Sequence, residues 1–402
     1  MKRKVVGMLL SGIMAASILT GCSTSPEPKE ETKQEEPADT TEDNTAEDET
    51  ANSDEADDSA EAETDDTADT QAPAGDVALP ADGKLKTGQG VYSKISSSKA
   101  ATAEEAGTAQ VDSAIATVTY DSKGVIVKCV IDAAQTKVNF TDKGEIETDL
   151  GTEQKTKVEA GSDYGMKNAS AIGKEWDEQI KAFADWTVGK TLDEVKGLQV
   201  KKVDDSHPMV PDVPELTSSV SISVGDYIEV IEKAMTSDGV EFDTPDSYTT
   251  GLGVITSIGS SKPAADGEEG TGQVDSAVVS VTLDGEGKIV ACVMDAAQTK
   301  VAFNDKGEIT SDLNGDIQTK VELGSNYGMK NASSIGKEWD EQIKAFADWT
   351  IGKTLDEVKG LQVKKVDDSH PMVPDVAELT SSVSISVGDY LDGVEKAVSN
   401  AQ

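Results

Sequence analysis

Alternating apolar and polar positions predict β-strands in the first half of each of two similar segments of the chain. Apolar residues recur at every second position in 110–120, and 273–283 repeats this pattern. A polar turn at 121–124 then leads into 125–131, which predicts a hairpin. A further strand is predicted at 136–140. The period of two predicts strands that bury one face and leave the other in water.

Helical periodicity follows the strands in each segment. Trp176, Ile180 and Phe183 are spaced to lie on one face of a helix. The sequence at 191–194 is a capping box that should open a short helix, and a last helix is predicted over 224–235. Strands followed by helices predict the α+β class, with a small antiparallel sheet packed against helices.

The two segments are a tandem repeat. A shift of 163 residues places 88–234 on 251–397 without a gap. This period is far longer than the unit of a solenoid, and each copy has the length of an independent domain. We therefore predict two domains, residues 81–236 and 237–402, that fold independently and meet at the polar, turn-rich segment 236–246.

The N-terminus has the features of an export signal. Three basic residues precede an apolar stretch at 5–19, which is too short to span a bilayer comfortably. The stretch ends in Leu19-Thr20-Gly21-Cys22, which resembles the lipobox of bacterial lipoproteins. We predict that residues 1–21 are a signal peptide and that lipid on Cys22 anchors the protein on the outer side of the cell membrane. The alternative is an ordinary secretory signal with a chance cysteine.

Residues 22–80 are predicted to form a disordered acidic linker. Between 23 and 72 there are twenty acidic residues, two lysines and no aromatic residue, so this segment cannot bury enough apolar surface to fold. Repulsion between like charges should extend it into a tether. The net charge of the whole chain is −40, which argues against nucleic acid as a partner.

Cysteine and histidine are scarce. Cys129 and Cys292 occupy equivalent positions in the repeats, each on the apolar face of a predicted strand. We expect both to pack in a core as small hydrophobic residues, without a disulfide. No zinc or other metal site is predicted, because the chain has two histidines and no closely spaced cysteine pair.

A cluster of hydroxyl groups directly precedes the last helix of each repeat. Five hydroxyl side chains lie within 217–223, and the same five recur at 380–386. Serine and threonine at a helix start usually cap free backbone N–H groups. Capping accounts for one or two of these side chains but not for five.

This segment resembles the flavinylation site of FMN-binding domains. In that family an acidic residue, two further residues and Ser-Gly-Ala-Thr precede the last helix, and a flavin transferase esterifies the threonine hydroxyl with the phosphate of FMN. Equivalent positions here are Glu215, Ser218, Ser219, Val220 and Ser221, and in the second repeat Glu378, Ser381, Ser382, Val383 and Ser384. Through the stretches 132–137, 164–170 and 172–176, the repeats also resemble two-domain lipoproteins that carry electrons outside Gram-positive cells.

The resemblance implies two covalent FMN groups per chain, on Ser221 and Ser384. Serine replaces the usual threonine but keeps its hydroxyl, and Ser219 replaces the usual glycine. A helix N-terminus is also a favourable place for a phosphate anion. The flavin ring requires an apolar slot, for which the candidates are Tyr164 and Met166 with their counterparts Tyr327 and Met329.

The only histidines, His207 and His370, each follow Asp-Asp-Ser and precede Pro-Met. A histidine near a flavin could move protons, but the neighbouring prolines favour a solvated surface loop.

The sequence thus predicts an extracytoplasmic, lipid-anchored electron carrier. Its partners would be a flavin transferase, a membrane electron donor and an external electron acceptor. The cofactor would perform the redox chemistry and the protein would position it. The alternative is a non-redox surface lipoprotein that keeps the fold with a degenerate flavin site.

Overall fold

The structure is a computed structural model that describes residues 83–265 and 267–402. The elements of the first repeat are β1 (Lys84–Lys94), β2 (Gly107–Asp121), β3 (Ile126–Phe140), α1 (Lys157–Ala160), α2 (Trp176–Thr187), α3 (Leu192–Lys196), β4 (Val200–Lys201), β5 (Val210–Pro211) and α4 (Gly225–Thr236). Those that follow are β6 (Val240–Asp243), β7 (Tyr248–Ser257), β8 (Gly270–Asp284), β9 (Ile289–Phe303), α5 (Lys320–Leu323), α6 (Trp339–Thr350), α7 (Leu355–Lys359), β10 (Val363–Lys364), β11 (Val373–Pro374) and α8 (Gly388–Ser399). The predicted signal peptide, Cys22 and nearly all of the acidic linker lie outside the described residues.

The fold is of the predicted α+β class. One antiparallel sheet has the strand order β3-β2-β1-β6 and the other has the order β7-β8-β9. Helices α2 and α4 cover one face of the first sheet, and α6 and α8 cover the corresponding face of the second. The capping box at Thr191 and Glu194 is present and starts α3, as predicted. Among the described residues, no helix is long and apolar enough to cross a bilayer.

Strand β1 was not predicted, although two glycines in it signal a close contact. A Cβ on Gly88 would lie 1.9 Å from the carbonyl oxygen of Ala234, and one on Gly90 would lie 2.2 Å from that of Val230. These glycines therefore allow α4 to lie directly on the backbone of β1. Glycine inside a strand often marks such an approach of a second backbone segment.

The predicted strands at 125–131 and 136–140 are one continuous strand, β3, so their separation was wrong. The residues between them stay in register with β2, where Ala133 pairs with Ala114 and Gln135 with Asp112. Interstrand pairing keeps this stretch extended although alanine and aspartate have low strand propensity.

The strands bury both faces, which corrects the prediction of half-buried strands. On β2 the residues Ala116 and Val118 face the helices, whereas Ile115 packs against the second repeat. Thr117, which lies between Ala116 and Val118 on this strand, faces the second sheet, and its Oγ1 lies 2.6 Å from Ser280 Oγ. Alternating hydroxyl residues therefore form a buried contact between the sheets, because the hydroxyl groups satisfy one another.

The repeats meet in a two-fold arrangement, as in a symmetric dimer. Equivalent residues face each other: the rings of Phe140 and Phe303 stack with centroids 3.9 Å apart. Both repeats belong to one compact unit. The polar segment expected to form the boundary between domains contains β6, which pairs with β1 through Phe242 and Leu85.

Both described cysteines are buried and free, as predicted. Cys129 is 6% exposed and Cys292 is 1% exposed. Burial raises the pKa of each thiol to about 12. These thiols are therefore protonated at neutral pH and act as small core residues.

Candidate functional site

The hydroxyl-rich segment forms a compact loop between β5 and α4, held by buried apolar side chains. Leu216, Val220, Ile222 and Val224 are at most 6% exposed and pack in the core beneath the helices. Of the hydroxyl residues between these anchors, Ser219 is buried and the others lie at or near the surface of the loop. The alternation of apolar and hydroxyl residues therefore determines which hydroxyls are accessible.

Ser221 is held by a buried glutamine of α2. Gln179 Oε1 accepts the backbone N–H of Ser221 at 2.8 Å and its hydroxyl at 3.1 Å. The amide nitrogen of Gln179 donates to Ser170 Oγ at 3.1 Å and to the carbonyl of Lys174 at 3.0 Å. Because the nitrogen contacts a carbonyl oxygen, the orientation of the amide is fixed.

The second repeat reproduces this arrangement. Gln342 Oε1 accepts the N–H of Ser384 at 2.8 Å and its hydroxyl at 3.1 Å, and the Gln342 amide donates to Ser333 Oγ at 3.1 Å. Both serines are half-buried. Gln179 and Gln342 were not predicted, although a polar residue on an otherwise apolar helix face was a visible signal.

The other hydroxyl groups of the first loop have different surroundings. Ser218 is exposed, and its counterpart Ser381 is exposed as well. Ser219 is 6% exposed and donates to the carbonyl of Leu216 at 3.4 Å, and Ser382 makes the same bond at 3.2 Å. Ser223 accepts the N–H of Met209 at 3.0 Å. Most of the cluster is thus accounted for by hydrogen bonds to other residues of the protein.

A pocket of about 320 Å³ adjoins the loop of the second repeat. Its lining brings together Ser384, Met329, Ser333 and His370, which come from three separate segments of the sequence. This volume lies near the lower end of the usual range for ligand pockets, about 300–1,000 Å³. The structure therefore places one predicted acceptor and one predicted ring contact in the same pocket.

The tyrosines predicted to contact the flavin pack beside aromatic and cationic side chains. The ring of Tyr327 lies 6.5 Å from that of Trp339, and the ammonium of Lys320 lies 4.9 Å from the Tyr327 centroid. Tyr164 is covered by Lys157 in the same way, at 4.8 Å. Tyr327 is not among the residues that line the pocket at Ser384, and the flavin contacts of both tyrosines stay a prediction.

His370 lies on a surface loop and also at the edge of the pocket beside Ser384. Its side chain is 41% exposed, and Nδ1 lies 2.9 Å from Asp367, so it belongs to a surface loop. The same residue lines the pocket at Ser384. The hydrogen bond with His370 lowers the pKa of Asp367, which keeps this carboxylate ionised beside the imidazole.

The N-terminus of α4 is less open than the sequence suggested. Helix α4 begins at Gly225, four residues after Ser221, and a Cβ on Gly225 would lie 2.8 Å from Met209 Sδ. Met209 therefore packs onto the first helical residue. On this side of the loop a second pocket of about 630 Å³ is lined by Met209, Ser223, Gly225, Lys157 and Tyr227.

Comparisons with known proteins give one partial similarity. A chlorophenol reductase of Desulfitobacterium hafniense is 34% identical over 87 residues, which is 21% of this chain. The matched part is 27% of that protein, so the chain spans about a quarter of its length. No family model matches the chain, and no solved structure is similar to it.

Proposed function

We propose that the protein is a membrane-anchored extracytoplasmic electron carrier that holds two FMN groups through phosphoesters on Ser221 and Ser384. One observation carries this proposal: in both repeats a buried glutamine fixes the serine at the position of the family's flavin acceptor. In the second repeat that serine also lines a pocket. The partial similarity to a reductase agrees with a redox role.

The residues around Ser384 fit a phosphoester. Esterification replaces the hydroxyl proton of Ser384, so its bond to Gln342 is lost, whereas the 2.8 Å bond from the Ser384 N–H remains and keeps the loop in place. The Ser333 hydroxyl accepts from Gln342 and retains its own proton, which it can donate to a phosphate oxygen. Met329 would supply an apolar contact for the ring.

When bound, the flavin would supply one- and two-electron redox chemistry, and the protein would position it. The covalent link would prevent its loss by dilution outside the cell. The acidic linker would allow the folded repeats to move between a membrane donor and an external acceptor.

Anchoring through Cys22 leads to a separate prediction. The variant Cys22→Ala has no thiol to receive the lipid, so its precursor should remain uncleaved by the lipoprotein peptidase. Cell fractionation and the N-terminal mass of the protein measure this. Normal cleavage and membrane retention of the variant would contradict the lipoprotein assignment.

A non-redox surface lipoprotein is the second candidate. It is favoured by the hydrogen bonds of Ser221, because its hydroxyl already has a structural role in binding Gln179. Intact mass and visible absorbance of protein from the native host separate the two candidates. Flavin absorbance that persists through denaturation supports the carrier, and a colourless protein of unmodified mass refutes it.

Gln179 should act as a positioning residue for the acceptor. In Gln179→Leu, Ser221 loses both of its bonds to the amide, so we expect flavin loading of Ser221 to fall at least about tenfold. Loading of Ser384 should not change, because Gln342 is intact, and it serves as the control within the same molecule. The cost in stability should be about 1–3 kcal/mol, because the Ser221 N–H loses its partner.

Peptide mass spectrometry after flavinylation measures both sites separately. Equal loading of Ser221 and Ser384 in this variant would show that the glutamine does not position the acceptor. Circular dichroism melting is needed to confirm that the variant is folded.

A further inference from the structure

A third pocket, of about 420 Å³, lies between the two repeats and away from both hydroxyl loops. One wall comes from β1 and the end of α4, including Gln89, Val91 and Asp238. The opposite wall comes from β9 and α6, including Asp295 and Asp340. The pocket therefore exists only when the repeats are assembled.

This pocket is acidic. Five carboxylates and two lysines line it, which leaves an excess of three negative charges when all are ionised. Both lysines are neutralised by carboxylates of the same pocket, since Lys233 pairs with Glu322 and Lys344 pairs with Asp348. In the described part of the chain, the other three carboxylates form no ion pair; they belong to Asp238, Asp295 and Asp340.

Two lining residues have acceptor oxygens without a donor among the described residues. Gln89 is 6% exposed, and its amide nitrogen donates to Ser280 Oγ at 2.8 Å and to the carbonyl of Val293 at 3.2 Å. Its Oε1 accepts no hydrogen bond, and neither do Oδ1 of Asp340 and Oδ1 of its counterpart Asp177; all three atoms are enclosed by protein. Rotating the amide would set two oxygens against each other at Val293, so Oε1 stays unpaired. Buried acceptors without a donor are costly.

Most of the remaining lining is apolar. It includes the side chains of Val91, Val240, Met294, Ile343 and Ala347. A molecule that fits must therefore combine an apolar body with positive charge. We propose that this inter-repeat pocket binds a small organic ammonium compound with an apolar body.

The two-fold relation of the repeats supplies an internal comparison. The counterparts of Asp295 and Asp340 are Asp132 and Asp177, so these carboxylates recur. Gln89 and Asp238, in contrast, correspond to Leu252 and Ala401. The polar groups that distinguish the pocket are therefore present once in the chain, which predicts one site per molecule.

Asp295 strengthens the attraction for a cation. Its Oδ1 accepts the N–H groups of Ala296 and Val321, and burial raises the pKa of its carboxyl to about 6. Above that pH the Asp295 carboxylate is a buried, poorly solvated anion. An ammonium group is the partner that offsets the cost of burying this charge.

Titration calorimetry on the whole chain with tryptamine tests the proposal at pH 7.5. We expect binding of one molecule per chain with a dissociation constant on the order of 0.1 mM. Tryptophol keeps the indole body without the charge, and indole-3-acetate reverses the charge, so both should bind at least about tenfold more weakly.

Variants locate the site. Gln89→Leu introduces the leucine that the second repeat has at the equivalent position 252. Asp238→Ala introduces the alanine that it has at position 401. Both variants should therefore fold. Asp238→Ala removes a carboxylate of the pocket and should weaken tryptamine binding at least about tenfold. Gln89→Leu changes the wall of the pocket and should weaken binding by a similar factor. Asp340→Asn should do the same, whereas its matched control Asp177→Asn should bind as the unaltered chain does.

Three results would overturn the proposal. Binding of tryptophol as tight as that of tryptamine would show that the pocket does not select the positive charge. Unchanged affinity in both Gln89→Leu and Asp238→Ala would place the ligand elsewhere. No heat of binding with either tryptamine or the smaller phenethylamine, at millimolar concentration, would show that the pocket does not select organic ammonium compounds.

Discussion

Replacing both Ser221 and Ser384 by alanine should abolish all flavin that survives denaturation, whereas each single replacement should remove half of it. Alanine deletes the oxygen that would form the phosphoester. It leaves the backbone N–H of residue 221 bonded to Gln179 at 2.8 Å, so the loop should keep its conformation. The cost in stability should stay near 1 kcal/mol.

Co-expression with a flavin transferase followed by intact mass measurement provides the data. The unaltered chain should gain the mass of two FMN groups less two waters, each single variant should gain one, and the double variant none. Ser218→Ala is the matched control, because this hydroxyl is exposed and should not be the acceptor. Its loading should equal that of the unaltered chain.

Threonine at both acceptor positions should preserve or increase the loading, since it keeps the hydroxyl and restores the family's usual residue. Adducts that persist in the double alanine variant would move the acceptor to another hydroxyl, such as Ser219 or Ser223. Absence of any adduct, even with threonine, would reject the electron carrier and favour the non-redox lipoprotein.

The periodic parts of the sequence predicted several elements of the fold but not strand β1, and the contacts between elements escaped prediction. The capping box at 191–194 and the last helix were predictable because their signals are local. The buried face of β2 was not, because Thr117 and its neighbours look like solvent-facing residues until a second sheet satisfies their hydroxyl groups. An alternating polar face has the same pattern in both situations.

In the candidate site, too, local features were predictable and contacts from other elements were not. The sequence predicted the loop and its serines, but not the side chains that reach them from other elements. Gln179 lies 42 residues before Ser221, and no spacing rule connects them. Met209 likewise covers the start of α4 by a tertiary contact, so the expectation of an open helix N-terminus considered only the helix itself.

Unfolding of the two repeats should be coupled, so that the described region melts in a single transition. The sequence predicts independent domains, but the structure adds a core to which both repeats contribute. Phe140 and Phe303 are fully buried in it and stack in parallel. A fragment that ends at 236 would expose this core and would also lack β6, which pairs with β1.

The variant Phe303→Ala tests this coupling. Removing a fully buried ring from the interface should cost about 3–5 kcal/mol. We expect the melting temperature to fall by roughly 5–10 °C. Since the ring packs against Phe140, hydrogen exchange should accelerate in β2 and β3 of the first repeat as well as in β8 and β9.

Phe346→Ala is the matched control, because Phe346 is equally buried but belongs to the helix-covered core of the second repeat. Phe346→Ala should accelerate hydrogen exchange in the first repeat less than Phe303→Ala does, when the two variants are compared at the same loss of stability. If the repeats were independent, both variants would leave exchange in β2 unchanged, and the unaltered protein would show two calorimetric transitions. A single calorimetric transition, together with faster exchange in both repeats of Phe303→Ala, would instead establish that the stacked phenylalanines couple the repeats. The pocket between the repeats would then depend on the same contact.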